Sequence, residues 1–196
     1  LIYLKQDSLT YFPIREIPVD PGELGLDFES FELDLGDSSV TGWIVRADPK
    51  APWILHCHGN GGNIAYRIDY LALFRRLGFN GVVFDYRGYG KSRGQPTESG
   101  LTEDALAVRE HLVEKEGAKP DKLIYFGESL GGAVACALAE KEPPAGLILK
   151  STFTSYPEMA GVVYPFLPVR LLARARYDSL SKVKDFHFPI LVMHSP

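Results

Sequence analysis

Apolar and acidic residues alternate through Phe28-Glu29-Ser30-Phe31-Glu32-Leu33-Asp34-Leu35. A period of two predicts a strand with one wet face. Val40–Arg46 reads as its hairpin partner across Gly36-Asp37-Ser38-Ser39. From Pro52 the pattern changes to short apolar runs alternating with longer amphipathic stretches. Strands are predicted at about 52–57, 80–85, 122–126, 146–150 and 188–194, and helices at about 63–77, 101–116 and 129–141. On the first helix Ile64, Ile68, Leu71, Leu73, Phe74 and Leu77 make one broad apolar face. Strands alternating with helices predict an α/β fold, a mostly parallel sheet covered on both faces. Residues 1–27, marked by Pro13, Pro18 and Pro21, read as an extended lead-in, and no internal repeat is present. Residues 151–187 break the alternation, with many aromatics and with Pro157, Pro165 and Pro168. Leaving the carboxyl end of a strand, this stretch forms either a lid or an ordinary packing helix.

Three loops leave the carboxyl ends of the predicted strands, where ligands gather in sheets of this kind. In one, Leu123-Ile124-Tyr125-Phe126 gives way to Gly127-Glu128-Ser129-Leu130-Gly131 and then to the small-residue run Ala133–Ala139. A serine on so abrupt a strand-to-helix turn points its hydroxyl outward, and the positions two before and two after it must be small. The helix N-terminus beside it favours negative charge, which suits acyl transfer to Ser129. A serine helix cap flanked by two turn glycines is the plainer alternative.

The second loop, His58-Gly59-Asn60-Gly61-Gly62-Asn63, follows the strand Pro52–Cys57. Its glycines let backbone N–H groups turn toward a cavity, and Asn60, Gly61 and Leu130 are the candidate oxyanion donors. A phosphate-binding loop would need a lysine in a different glycine spacing. His56 and His58, placed on one strand face, would need a third metal ligand that the sequence does not offer. The third loop, Asp85-Tyr86-Arg87-Gly88-Tyr89-Gly90-Lys91-Ser92, reads as loop-fixing, with Asp85 and Arg87 as a polar pair.

In combination these stretches resemble the α/β-hydrolase superfamily, in particular its serine aminopeptidase-like and membrane-anchored abhydrolase branch. That branch carries HGNxGN after the third strand, DYRGYGxSxGxPTExGL after the fourth and GxSLGG after the fifth. Here they read His58–Asn63, Asp85–Leu101 and Gly127–Gly132, and Ser151-Thr152-Phe153-Thr154-Ser155 is a fourth match. The likeness runs from about Ser30 to Pro196. It implies one α/β-hydrolase domain over residues 1–196, C-terminally incomplete, and a triad in the order serine, acid, histidine. The acid is expected after the strand Pro189–His194 and the histidine later, both beyond Pro196. Relatives in this branch often carry a membrane anchor just upstream, so membrane anchoring ahead of Leu1 is one expectation. A cytosol-facing, cytoplasmic setting, which the two cysteines read as buried thiols fit, is the other.

Composition narrows the choice. With 45% apolar and 23% charged residues, the 196-residue chain suits one globular core. A net charge of −4 without a basic run argues against nucleic acid. Cys57 and Cys136 read as buried thiols, and no apolar run reaches the length of a membrane span. His111 sits in a solvent-facing pattern; neither it nor His187 or His194 suits the role of catalytic base. The sequence therefore predicts a serine hydrolase (carboxylesterase- or thioesterase-like, with peptidase as an option) working through an acyl-enzyme on Ser129. Its substrate is a small-molecule or acylated ester, thioester or amide, with Phe153, Tyr156 and Tyr164 lining the site and Arg170, Arg174 and Arg176 either meeting an anionic group or solvated. No cofactor or metal is called for. The alternatives are a non-catalytic binding module of the same fold and a truncated, inactive form.

Overall fold

The computed structural model describes residues 10–166, Pro168 and residues 172–195. Nine strands lie among them: β1 Phe12–Pro13, β2 Glu29–Asp34, β3 Ser39–Val45, β4 Trp53–Cys57, β5 Gly61–Gly62, β6 Asn80–Asp85, β7 Leu123–Glu128, β8 Gly146–Lys150 and β9 Ile190–Met193. The α-helices are α1 Ile68–Arg76, α2 Glu98–Glu114, α3 Leu130–Lys141, α4 Tyr156–Val163 and α5 Ser179–Val183.

Seven strands form one sheet in the order β2-β3-β6-β4-β7-β8-β9. The β2–β3 hairpin is antiparallel, β3 is antiparallel to β6, and the rest are parallel. In the hairpin register Phe31 lies opposite Gly42. A Cβ on Gly42 would collide with the Phe31 ring, so the glycine makes room for that side chain. Strands β4 and β6 are buried at every position, as expected of strands covered on both faces.

One face is covered by α1, whose Ile68, Leu71 and Phe74 pack on Val83, Ile54 and Phe126. The other carries α2 and α3, which join Leu55, Val82, Leu123 and Tyr125 in the main core. As far as Ala139, helix α3 is built from Gly, Ala, Val, Cys and Leu, and it is buried from Leu130 to Cys136, small side chains letting it lie close to the sheet. Cys57 and Cys136 are free and buried, and burial pushes the Cys136 thiol up to about 12.

Element boundaries moved for local reasons. Helix α2 begins at Glu98 rather than near 101, because the Thr97 side chain accepts the Gly100 N–H at 3.0 Å as an N-cap. Strand β7 runs on to Glu128 because Gly127 and Glu128 still pair with Leu149 and Lys150. Within 151–187, α5 packs against α3, whereas α4 leaves Val162 and Val163 exposed. Leu167, Arg170 and Leu171 lie outside the described residues.

From β4 the chain goes to β6 on one side and then crosses to β7 on the other. The loops leaving β4 and β7 therefore diverge at a switch point, the place where open α/β sheets bind ligands.

Candidate active site

Ser129 joins β7 directly to α3 with φ 53° and ψ −118°, a backbone region L-residues rarely occupy. Its surroundings hold it there. The Ser129 N–H donates to the Lys150 carbonyl at 2.9 Å, and its carbonyl accepts from the Thr152 hydroxyl at 2.8 Å and the Gly132 N–H at 3.0 Å. The side chain makes no capping bond, so its hydroxyl is not spent on the helix. That separates it from an ordinary serine N-cap, which accepts from the second or third helical N–H.

The flanking glycines are sterically required. A Cβ on Gly127 would lie 2.5 Å from the Gly131 carbonyl oxygen, and one on Gly131 would press still closer to that of Cys57. Both approaches are far inside van der Waals contact, so a side chain at Gly127 would push α3 off the turn and one at Gly131 would push it off the end of β4.

The loop after β4 crosses in front of this elbow: a Cβ on Gly59 would stand 3.5 Å from the Ser129 Cβ. Its two asparagines are occupied by the lead-in. Asn60 donates to the Thr10 carbonyl at 2.6 Å, and its side-chain oxygen accepts from the Tyr89 hydroxyl at 2.7 Å and the Phe12 N–H at 3.3 Å. Asn63 donates to the Ile14 and Glu16 carbonyls while accepting from the Ala65 N–H. Gly61–Gly62 pairs in parallel with Phe12–Pro13. The lead-in is thus more than an extended approach to the sheet; it is a structural part of this loop.

Beneath the loop lies His58, fully buried, its Nδ1 2.7 Å from the Gly59 carbonyl and its Nε2 3.5 Å from Asp85 Oδ1. That carboxylate oxygen also accepts the Ile64 N–H at 3.0 Å. Burial pushes the Asp85 carboxyl up, opposed by His58 and the Ile64 N–H. Asp85 and Arg87 are not partners, contrary to expectation. The chain turns after β6 and sends Arg87 to Asp104 and Glu103, each at 2.9 Å.

His56 does not share a face with His58. It meets Tyr70 edge-on and Phe126 at a tilt, ring centroids 4.7 Å away in both cases, and its ring nitrogens have no hydrogen-bond partner. Burial holds it well below the ordinary histidine range, so it is neutral. Among the described residues no cluster of ligands could hold a metal ion. His111 is not the solvent-facing residue its neighbours suggested; it stacks on Phe31 at 5.1 Å and sits 3.1 Å from Glu116. His187 and His194 are both exposed. No described histidine hydrogen-bonds Ser129.

On the α1 side of the elbow, Glu128 lies between two cations. Arg67 Nε is 3.1 Å and Lys150 Nζ 2.9 Å from its carboxylate, and the Tyr70 hydroxyl donates to it at 3.2 Å. Burial alone would raise the Glu128 carboxyl, but the Lys150 hydrogen bond and the two charges outweigh it and hold it low.

Of the three aromatic candidates, Phe153 and Tyr156 stand edge to face at 6.5 Å and pack on the main core, and the Tyr156 hydroxyl bonds that of Thr10 at 2.9 Å. Tyr164 caps the end of α4 and is exposed. A separate cavity of about 580 Å³, lined in part by Glu98, Glu103, Glu140, Lys141 and Lys182, lies between α2, α3 and α5; no sequence pattern announced it.

The family described as α/β hydrolase fold matches residues 52–179, which hold all three loops. An uncharacterized protein of Mycobacterium tuberculosis (strain ATCC 25618 / H37Rv) is 44% identical over 98% of this chain, the match spanning 69% of that protein. The lysophosphatidylserine lipase ABHD12 of Danio rerio is 35% identical over 74% of this chain, which spans 42% of it. Among solved structures, an esterase of Pyrococcus furiosus superposes with a TM-score of 0.72 at 20% identity, covering 93% of this chain and 76% of that one. Strand order, elbow and sequence agree: this chain belongs to the α/β-hydrolase family.

Proposed function

We propose that Ser129 is the nucleophile of a serine hydrolase acting on an ester, thioester or amide. The observation that carries this is the backbone of Ser129, held at φ 53° by bonds on both sides while its hydroxyl is left out of the helix cap. Strain so firmly maintained at one residue marks a position where geometry serves chemistry. In the reaction the Ser129 hydroxyl oxygen bonds to the substrate carbonyl carbon as its proton passes to a general base. The carbonyl oxygen takes the negative charge, facing N–H groups of Asn60 or Gly61 on one loop and of Leu130 at the start of α3. Collapse expels the protonated leaving group and leaves an acyl-Ser129, which water then hydrolyses by the same route. The family pattern assigns the base to a histidine, and the acid that orients it, to segments following β9.

The esterase and lipase names of relatives, and the exposed apolar Val162 and Val163 of α4, support acyl esters, including lipid-like or acylated-protein substrates, over peptides. The test uses full-length protein, a fluorophosphonate probe and an acyl ester. Labelling at Ser129, with turnover lost in Ser129→Ala, is expected. Unchanged ester hydrolysis in that variant refutes the assignment, and failure of the wild type to react with any serine-directed probe points to a non-catalytic module.

A further inference from the structure

Two separate chain segments must meet to stabilise the oxyanion: the loop 58–63 and the elbow 127–131. Neither is held to the other by sheet bonds at the point of meeting. One side chain spans them. Arg67, in the short 3₁₀ turn after the loop, places Nη2 3.3 Å from the Gly61 carbonyl and Nη1 3.1 Å from that of Tyr66. Its Nε stands 3.1 Å from Oε2 of Glu128, the residue immediately before Ser129. The other end of this link is itself fixed, because Lys150 and Tyr70 hold the remaining Glu128 oxygen. Arg67 therefore ties the loop to a carboxylate that two other groups already hold, its Nε meeting Glu128 as a charge contact rather than a hydrogen bond. The pair is shielded, with side-chain exposures of 17% and 19%, so solvent and salt weaken it less than a surface ion pair. A planar guanidinium suits the task, since it presents donors in several fixed directions at once.

We propose that Arg67 is a positioning residue that sets the separation between the oxyanion donors of the Asn60–Gly61 loop and the Leu130 N–H. The proposal rests on the reading of Ser129 as nucleophile. Arg67 touches neither the reacting atoms nor the leaving group; it acts by holding the Gly61 carbonyl and Glu128 in register. Its loss should therefore damage the transition state far more than substrate binding.

The experiment measures acyl-ester kinetics, the rate of fluorophosphonate labelling and thermal unfolding in full-length Arg67→Met, Arg67→Lys, Glu128→Gln and the Arg67→Met/Glu128→Gln double variant. In Arg67→Met, kcat is expected to fall by about tenfold or more with KM within about twofold, and labelling to slow in parallel. Glu128→Gln should fall in the same manner, and the double variant should be no slower than the worse single one. Arg67→Lys should recover part of kcat, since an ammonium can reach Glu128 but cannot also hold the Gly61 carbonyl. Wild-type kcat in Arg67→Met, a loss confined to KM, or losses that multiply in the double variant overturn the proposal. If Arg67→Met unfolds, a folded Arg67→Lys with wild-type kcat overturns it, and a folded Arg67→Lys with reduced kcat and unchanged KM supports it. Failure of the nucleophile reading looks different: wild-type protein then fails to label, or Ser129→Ala keeps full activity.

Discussion

The Glu98 carboxylate accepts the backbone N–H of Tyr177 at 2.6 Å and that of Arg176 at 2.7 Å. Tyr177 is a bulky residue at φ 40°, and its hydroxyl bonds that of Tyr11 at 2.8 Å. The first turn of α2 thus fastens the far end of the segment that begins at Ser151. Glu98→Ala removes both acceptors and leaves two N–H groups and a strained tyrosine. It is expected to cost about 1–3 kcal/mol in urea unfolding and to expose the 156–178 stretch to limited proteolysis, while Glu98→Gln, keeping one acceptor, costs less. Equal protease resistance in wild type and Glu98→Ala would show the contact to be idle.

Strain and chemistry at Ser129 can be separated. Glycine relieves the unfavourable backbone and alanine does not, so Ser129→Gly should be more stable than Ser129→Ala by about 1–2 kcal/mol. Both variants lack the hydroxyl and should be equally inactive. A lower unfolding midpoint for the glycine variant would mean that the surroundings do not impose the strain.

The glycines of this region divide by what surrounds them. Gly131→Ala drives a methyl into the Cys57 carbonyl oxygen and should destabilise by about 3 kcal/mol or more. A Cβ on Gly61 meets nothing within 4 Å, so Gly61→Ala should leave the unfolding midpoint nearly unchanged. Denaturant titration of the two side by side tests the steric account, and similar losses would refute it.

His56 gives a signed pH dependence. Its folded pKa lies well below the ordinary value because burial opposes its charge, first of all, and the nearby cations add to this. Between the two values the unfolded chain binds a proton that the folded one refuses, so stability is full above about pH 6.5 and falls as pH drops below it, by up to about 1.4 kcal/mol per unit. His56→Phe fits the same aromatic cluster, removes two unpaired ring nitrogens and should flatten this part of the profile. Parallel acid profiles for wild type and His56→Phe would exclude His56 as the cause.

Much of this was legible in the sequence because it is periodic or local. The alternation around Phe31 gave a hairpin with one wet face, the runs at Ile54, Val82 and Ile148 gave strands, and Gly127-Glu128-Ser129-Leu130-Gly131 announced its own turn. What escaped is what joins distant segments. Arg67 and Glu128 meet only because β4 and β7 are neighbours in space, and no spacing in the chain encodes that. Thr10, Phe12 and Ile14 have no period, since an extended segment bound through its own carbonyl groups leaves little trace in side-chain chemistry. Proximity in sequence misled for Asp85 and Arg87: the turn after β6 carries one to His58 and the other to the buried Asp104 of α2.

The asparagines that clasp Thr10, Ile14 and Glu16 set a lower limit on the chain that can hold the loop 58–63 in place. A chain shortened to begin at Glu29, the first residue of the large sheet, would keep every central strand and still strip Asn60 and Asn63 of their bonds to Thr10, Phe12, Ile14 and Glu16. The loop 58–63 would then lose its cover, and trimming for crystallisation or expression should stop short of Thr10.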